Sequence, residues 1–164
     1  NSPLTSSMGR LFDGVSSLLG IVHRSSFEGE AAMQLEYISR RSDKPAPSSP
    51  YPFELIKCNN LLVFDWREMI KKLVYNSNSD DCCTAAQRFH ATLASMACPL
   101  VEHIGEKTVL LSGGCFQNRL LTESMVSMLR NHKFDVHWHS KTPPNDGGIA
   151  LGQLNAFYQE LSCA

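Results

Sequence analysis

The chain has 164 residues, with 15 Lys+Arg against 16 Asp+Glu for a formal net charge of −1, and 43% hydrophobic against 19% charged residues. This balance excludes a strongly basic binder of nucleic-acid backbones and an acidic, apolar-poor disordered chain. It fits one domain, or a large piece of one, with enough apolar side chains for a sizeable core.

Residues 6–23 are predicted as an amphipathic helix. Met8, Leu11, Phe12, Val15, Leu18, Leu19 and Val22 recur at i, i+3, i+4 spacing, and Ser6 or Ser7 stands in the capping position. Arg10 and Asp13, three apart, are neighbours on the opposite face. A second helix is expected over 28–41, with Ser25 and Glu28 at capping-box spacing and Ala31, Leu35 and Ile38 inward. Residues 42–52 hold four prolines and read as a linker.

Two short apolar runs, 53–56 and 61–64, flank Cys58-Asn59-Asn60 and predict a small hairpin. Asp65 and Glu68 open a helix to about Tyr75, with Met69, Ile70, Leu73 and Val74 inward. After the polar loop 76–81, a long helix is predicted over 82–104. Ala86, Phe89, Leu93, Met96, Leu100 and Ile104 are in phase, Pro99 is a kink or an end, and Gly105 is a stop.

The last third changes character. Residues 108–111 read as a buried strand, 112–114 as a turn, and 117–131 as a helix with Leu121, Met125 and Leu129 in phase. Residues 134–138 alternate as a strand, 139–148 form a turn-rich loop, and 149–161 a final helix with Leu154, Phe157 and Leu161. This is the strand–helix–strand–helix grammar of a parallel sheet. The chain therefore divides into a mainly helical segment, 1–105, and a βαβα segment, 106–164, of one α/β lobe.

The six cysteines include no C-x-x-C pair, so neither a zinc ribbon nor a redox motif is visible, and reduced thiols in a cytoplasmic protein are expected. No apolar run approaches the ~20 residues that span a bilayer, and no basic-then-apolar leader opens the chain. It does not begin with Met, which suggests a mature form or a piece of something longer.

In a βαβ unit both strands point the same way, so the loops after them emerge on one sheet edge, where ligands of open α/β sheets bind. Here those loops are SGGCFQN (112–118) and TPPNDGG (142–148), each glycine-rich and each leading into a helix. Glycine lets backbone N–H groups approach an anion, and the helix dipole favours negative charge. A phosphate-bearing ligand follows, with Asn118 as an amide donor or acceptor and Asp146 as a ligand of a divalent cation bridging phosphates. The plainer alternatives are tight turns and an Asp146 that caps the last helix. Cys115 lies near a helix N-terminus, which should lower its pKa. His90 sits beside the apolar stripe of the long helix and reads as a satisfied histidine rather than a ligand. His137 and His139 lack a third ligand at metal spacing. Gly148-x-x-x-Gly152 suggests close packing of the last helix on the sheet.

The strings SPLTSSMGRLFD (2–13), FEGEAAMQLE (27–36), FDWREMI (64–70), RFHATLA (88–94), LLSGGCFQNRLL (110–121) and PPNDGGIALGQ (143–153) resemble the C-terminal part of the hydrogenase maturation carbamoyltransferase family, HypF. That region is similar to the tRNA threonylcarbamoyladenosine enzymes. The resemblance implies the helix-rich second lobe of an actin-like, sugar-kinase-like ATPase fold, here incomplete. It implies an ATP-dependent enzyme that makes carbamoyl-adenylate and passes the carbamoyl group to the C-terminal cysteine of a partner maturation protein. That group becomes the cyanide ligand of nickel–iron hydrogenase.

Position by position, the resemblance implies that Asp13, Glu28, Gly29, Gly113, Gly114 and Asn118 face the nucleotide. Asp146 would hold a divalent metal, Mg or Fe, shared with histidines outside this chain. No catalytic residue is implied. Cys115 stands where the family often has an aliphatic residue, which favours packing. Arg10 stands where the tRNA enzymes carry an acidic residue, which argues against tRNA. The expected alternatives are a threonylcarbamoyl transferase acting on tRNA and a non-catalytic interaction module. No nucleic-acid or membrane partner is expected. A lobe lacking part of its sheet is expected to be inactive alone and to self-associate through its exposed apolar surface.

Overall fold

The computed structural model describes residues 3–41, 49–76 and 80–162. Helix α1 (Met8–Leu18) buries Phe12, Val15 and Ser16. It ends four residues before the apolar pattern does. Gly20 adopts φ 70°, its N–H reaches Ser17 O, and the Ile21 N–H reaches Ser16 O. This is a left-handed helix stop that satisfies two terminal carbonyls. Ser7 is the capping residue, but its side chain makes no cap bond.

Helix α2 (Glu30–Arg40) starts two residues later than predicted, because Gly29 precedes it at φ 83°. The capping box shifts with it: the Glu30 carboxylate, not that of Glu28, accepts the Ser26 N–H. Most of the proline-rich linker, 42–48, lies outside the described residues. Beyond it Tyr51 is buried, with its N–H bonded to Thr92 Oγ1 at 2.8 Å.

Strands β1 (Glu54–Cys58) and β2 (Leu61–Asp65) pair antiparallel, Cys58 opposite Leu61. Asn59 and Asn60 form the turn at φ 48° and 63°. Two consecutive left-handed residues make the hairpin turn that matches strand twist, and asparagine tolerates that region. Helix α3 (Arg67–Asn76) follows. Met69 and Leu73 are buried, but Val74 is half exposed, so the inward face is narrower than predicted. Arg67 donates through Nε and its backbone N–H to Asp65, holding that carboxyl down to about 2.

Helix α4 (Cys82–Ile104) is the spine of the molecule. Asp81 caps it by accepting the Thr84 N–H at 2.7 Å, and Gly105 ends it at φ 80°. Pro99 lies inside the helix and does not end it. Ile104, predicted inward, is exposed. One face of α4 packs into a core with Phe12, Val15, Leu35, Tyr51, Met69, Leu73 and Leu121. Phe12 and Phe89 meet edge-to-face there, centroids 5.0 Å apart. Such a pair adds ~0.5–1.5 kcal/mol beyond its burial. The far end of α4 enters a second core through Cys98 and Val101.

That second core is the βαβ unit. Strand β3 (Thr108–Leu111), helix α5 (Arg119–Asn131) and strand β4 (Asp135–Trp138) follow in order. β3 and β4 are parallel, with Leu111 opposite Trp138. Leu111, Val126, Leu129 and Val136 are its buried centre. Helix α4 belongs to both cores and so joins the helical segment to the βαβα segment.

Helix α6 (Ile149–Ser162) completes the order. Every described side chain of it, 149–159, is exposed. A Cβ at Gly152 would meet nothing within 4 Å. The described side chains, 149–159, do not make the predicted close packing of this helix on the sheet. Its chief contact is the turn leading into it, and Leu161's side chain lies outside the described set.

Candidate functional site

The loops after β3 and β4 meet, as the parallel topology requires. The first opens with Gly113 at φ 109°, then forms a single 3₁₀ turn, Gly114–Gln117. The second forms a 3₁₀ turn, Asp146–Gly148, before α6. They are joined directly: the Gly113 N–H donates to Pro144 O at 2.8 Å. A Cβ on Gly114 would sit 4.0 Å from Asn145 Cβ. A Cβ on Gly148 would sit 2.8 Å from the Pro143 carbonyl oxygen, so only glycine lets the second loop fold this tightly. The strand ends are tied as well, by Ser112 Oγ to His139 Nε2 and His139 Nδ1 to Thr142 Oγ1, each 3.0 Å.

Backbone donors are divided unequally between the loops. Asn145 takes two of those in the second: Oδ1 accepts the Gly147 N–H at 3.1 Å and its carbonyl accepts the Gly148 N–H at 2.9 Å. Asn145, not Asp146, therefore caps this turn. The Asp146 carboxylate is exposed and makes no hydrogen bond or ion pair with another described residue. In the first loop Gly113 is spent on Pro144, and the Phe116 N–H on Gly113 O. The N–H groups of Gly114 and Cys115, at the start of the turn, have no intrahelical acceptor.

Asn118 follows the first loop and is 7% exposed. Its Oδ1 accepts the Leu121 N–H at 2.9 Å, capping α5, and its Nδ2 lies 3.0 Å from His90 Nε2. Because Oδ1 must face the Leu121 N–H donor, the NH₂ faces His90, so His90 Nε2 is unprotonated and the ring proton is on Nδ1. That proton goes to Ala86 O at 2.8 Å, with Ser39 Oγ at 3.2 Å. Burial lowers the His90 pKa below its usual 6.5. Glu36 of α2 accepts the neighbouring Leu120 N–H at 3.1 Å while paired to Arg40 at 2.7 Å. Two free donors at the start of α5 are thus satisfied by side chains.

The remaining predicted residues are placed as follows. Asp13 pairs with Arg10 at 2.9 Å on α1, as its spacing implied, and α1 packs against the 114–117 turn. Glu28 is exposed and Gly29 partly so at the start of α2, which packs on α1 and α4. Gly113, Gly114 and Asp146 form one unit, α1 brings the Asp13 helix to its flank, and Asn118 lies beneath it with both amide ends engaged inside the protein. Cys115 reverses the expectation for its thiol: burial raises its pKa rather than the turn lowering it.

Among the described residues no group of three His, Cys, Asp or Glu side chains can hold a metal ion. Asp146 alone offers one carboxylate, so a cation held here would need further donors from outside those residues. Nor is any described helix long and apolar enough to cross a membrane. Glu36 and Asn145 were missed in the sequence. An Asn before Asp-Gly-Gly is a local signal for a capped turn. Glu36 has none, because its partner is 84 positions away.

The profile of the HypF_C_2 family, described as "Carbamoyltransferase, Kae1-like Domain, second subdomain", matches residues 1–153. Carbamoyltransferase HypF of Synechocystis sp. is 38% identical over 96% of this chain and 20% of its own length. That of Rhodobacter capsulatus is 38% identical over 93% of this chain and 20% of its own. A full-length HypF solved in its phosphate- and nucleotide-bound form superposes with a TM-score of 0.78 at 34% identity, over 90% of this chain and 20% of that one. HypF from T. kodakarensis superposes at 0.75 and 26% identity, over 98% of this chain and 21% of that one. The chain spans about a fifth of the length of these relatives. Sequence and fold agree, and the chain belongs to the HypF carbamoyltransferase family, in which it corresponds to the second subdomain of the Kae1-like domain.

Proposed function

We propose that this chain is the nucleotide-facing part of an ATP-dependent carbamoyltransferase. In that reading the whole protein activates carbamate, derived from carbamoyl phosphate, as carbamoyl-adenylate. It then transfers the carbamoyl group to the C-terminal cysteine of a partner maturation protein, on the route to the cyanide ligand of nickel–iron hydrogenase. The observation that supports it most is the joining of the two glycine loops at the carboxyl edge of β3 and β4.

Among the described residues, the loops at that edge carry N–H groups of the first turn without an intrahelical acceptor and an Asp146 carboxylate without a partner, which supports this reading. Backbone donors there suit phosphate oxygens, and Asp146 suits one position on a Mg²⁺ or Fe ion that also takes phosphate oxygens. Asp13, Glu28 and Gly29 are the proposed contacts to the nucleoside. Asn118 serves the same site by fixing the end of the glycine turn. The cation's other protein ligands would come from outside this chain, so the chain alone is expected not to turn over. A cytoplasmic location accords with this role.

The test is calorimetric titration of ATP with Mg²⁺ into the chain, beside Asp146→Ala and Asp13→Ala. Binding weakened at least tenfold by each variant, with unchanged circular dichroism, is the expected result. Tight binding indifferent to both would overturn the assignment. A transfer assay on the whole protein, offering a peptide ending in cysteine and, separately, tRNA, distinguishes the carbamoyl reading from threonylcarbamoyl transfer.

A further inference from the structure

The glycine turn is held from beneath by a buried polar chain that runs across α2, α4 and α5. Ser39 Oγ lies 3.2 Å from His90 Nδ1, and His90 Nε2 lies 3.0 Å from Asn118 Nδ2. Asn118 Oδ1 caps Leu121. His90 and Ser39 are 1% and 2% exposed. The Asn118 N–H returns to Cys115 O at 3.1 Å, and Thr122 Oγ1 donates to Phe116 O at 3.0 Å. Among the described residues, the NH₂ end of the residue that ends the turn is therefore held by the imidazole of His90.

We infer that His90 is a positioning residue: as an unprotonated acceptor it fixes the orientation of Asn118, and through it the first turn of α5 and the 113–117 glycine turn that the phosphate is proposed to meet.

The Asn118 amide has two orientations, and only one serves α5. With Oδ1 toward Leu121, the NH₂ needs an acceptor, and His90 Nε2 is that acceptor. A proton on Nε2 would set donor against donor. The amide would then turn over and present its NH₂ to the Leu121 N–H, and the cap would be lost. The charged groups facing His90 are Glu36 and Arg40 on α2, which act in opposite directions and are paired to each other. From α1 it meets the Phe12 ring, centroids 5.5 Å apart, and from the start of α5 the neutral Asn118. No charge in contact with the ring favours its protonated form strongly enough to outweigh burial, so the acceptor state holds at neutral pH.

The effect on ATP rests on the proposed nucleotide site; the effect on the turn does not, and the experiment separates them. His90→Gln keeps an oxygen that can accept from Asn118, and His90→Leu removes it. In the ¹⁵N-labelled chain, amide exchange at Leu120, Leu121 and residues 113–116 is followed between pH 8 and pH 5, with ATP–Mg²⁺ affinity measured on the same samples. At pH 8, protection at Leu121 should be equal in wild type and His90→Gln. It should be at least tenfold lower in His90→Leu, with α3 unaffected. On acidification, wild type should lose this protection and His90→Gln should keep it.

Protection at Leu121 that ignores both substitution and pH overturns the proposal. So does a loss spread evenly over α3 and α4, since that is loss of packing alone. If His90→Leu does not fold, the acidification of wild type against His90→Gln still decides. Where wild type binds ATP, affinity should follow Leu121 protection, and unchanged affinity in a loosened turn overturns the link to ligand. Where wild type does not bind ATP, the nucleotide reading of this chain fails while the exchange data still judge His90.

Discussion

Both ends of the Asn118 amide, which reads in the sequence as offered to a ligand, are engaged inside the protein. Its sequence context, between a glycine turn and an apolar helix, fits both a ligand and a cap. The structure commits Oδ1 to Leu121 and Nδ2 to His90. Asn118→Ala should therefore destabilise the fold by ~1–3 kcal/mol in urea denaturation, the range for losing a cap and stranding a buried acceptor. Asn118→Asp keeps the cap but sets a carboxylate oxygen against His90 Nε2, so its deficit should shrink as pH falls and the ring protonates. His90 itself has a folded pKa below 6.5. Its neutral state is stabilised by folding, so its contribution is present above pH 6.5 and lost as pH falls through the lowered folded value. Stability measured from pH 8 to 5 should decline in wild type more steeply than in His90→Gln.

At the scale of elements, turns were the most legible features because their chemistry is local. Asn59-Asn60, Gly105 and the paired glycine loops each act where the sequence places them. In the hairpin, Asn60→Gly should raise stability by a few tenths to ~1 kcal/mol, and Asn60→Val should lower it by ~1–2 kcal/mol, since Asn60 sits at φ 63°. Gly148→Ala would place a methyl 2.8 Å from a carbonyl oxygen that cannot step aside. It should cost ~1–3 kcal/mol, and faster amide exchange at Gly113 would show the two loops separating. Helix ends were less legible. The apolar stripe of α1 runs past Gly20, but the left-handed stop at Gly20 overrides it.

Across the whole molecule, burial is uneven. Phe12, Phe89, Leu35, Met69 and Leu73 are fully buried in the helical core, and Phe89→Ala should cost ~3–5 kcal/mol. By contrast, α6 presents Ile149, Leu151, Leu154, Phe157 and Tyr158 to solvent, and Leu110 on β3 is 68% exposed. Apolar surface of this extent drives association. The chain is expected to self-associate in sedimentation at micromolar concentration, and Leu154→Glu with Phe157→Glu should return it to a monomer. A wild-type chain that stays monomeric at high concentration would show that this surface does not drive association.

What the sequence by itself determined is local or periodic. Helical phasing, the βαβ order, glycine stops and the family strings all lie within a few turns of chain, where spacing dictates which face or which φ is available. The edge on which the glycine loops converge followed too, because parallel strands leave no other choice. Only the tertiary structure decided that Asn118 is bound to His90, that Glu36 caps a helix 84 positions away, that Cys115 is a half-buried thiol and that the described side chains of α6, 149–159, all face solvent. Each of these depends on which side chain a distant element brings within hydrogen-bond reach or withholds from water, and neither distance nor desolvation is written in the spacing of residues along the chain.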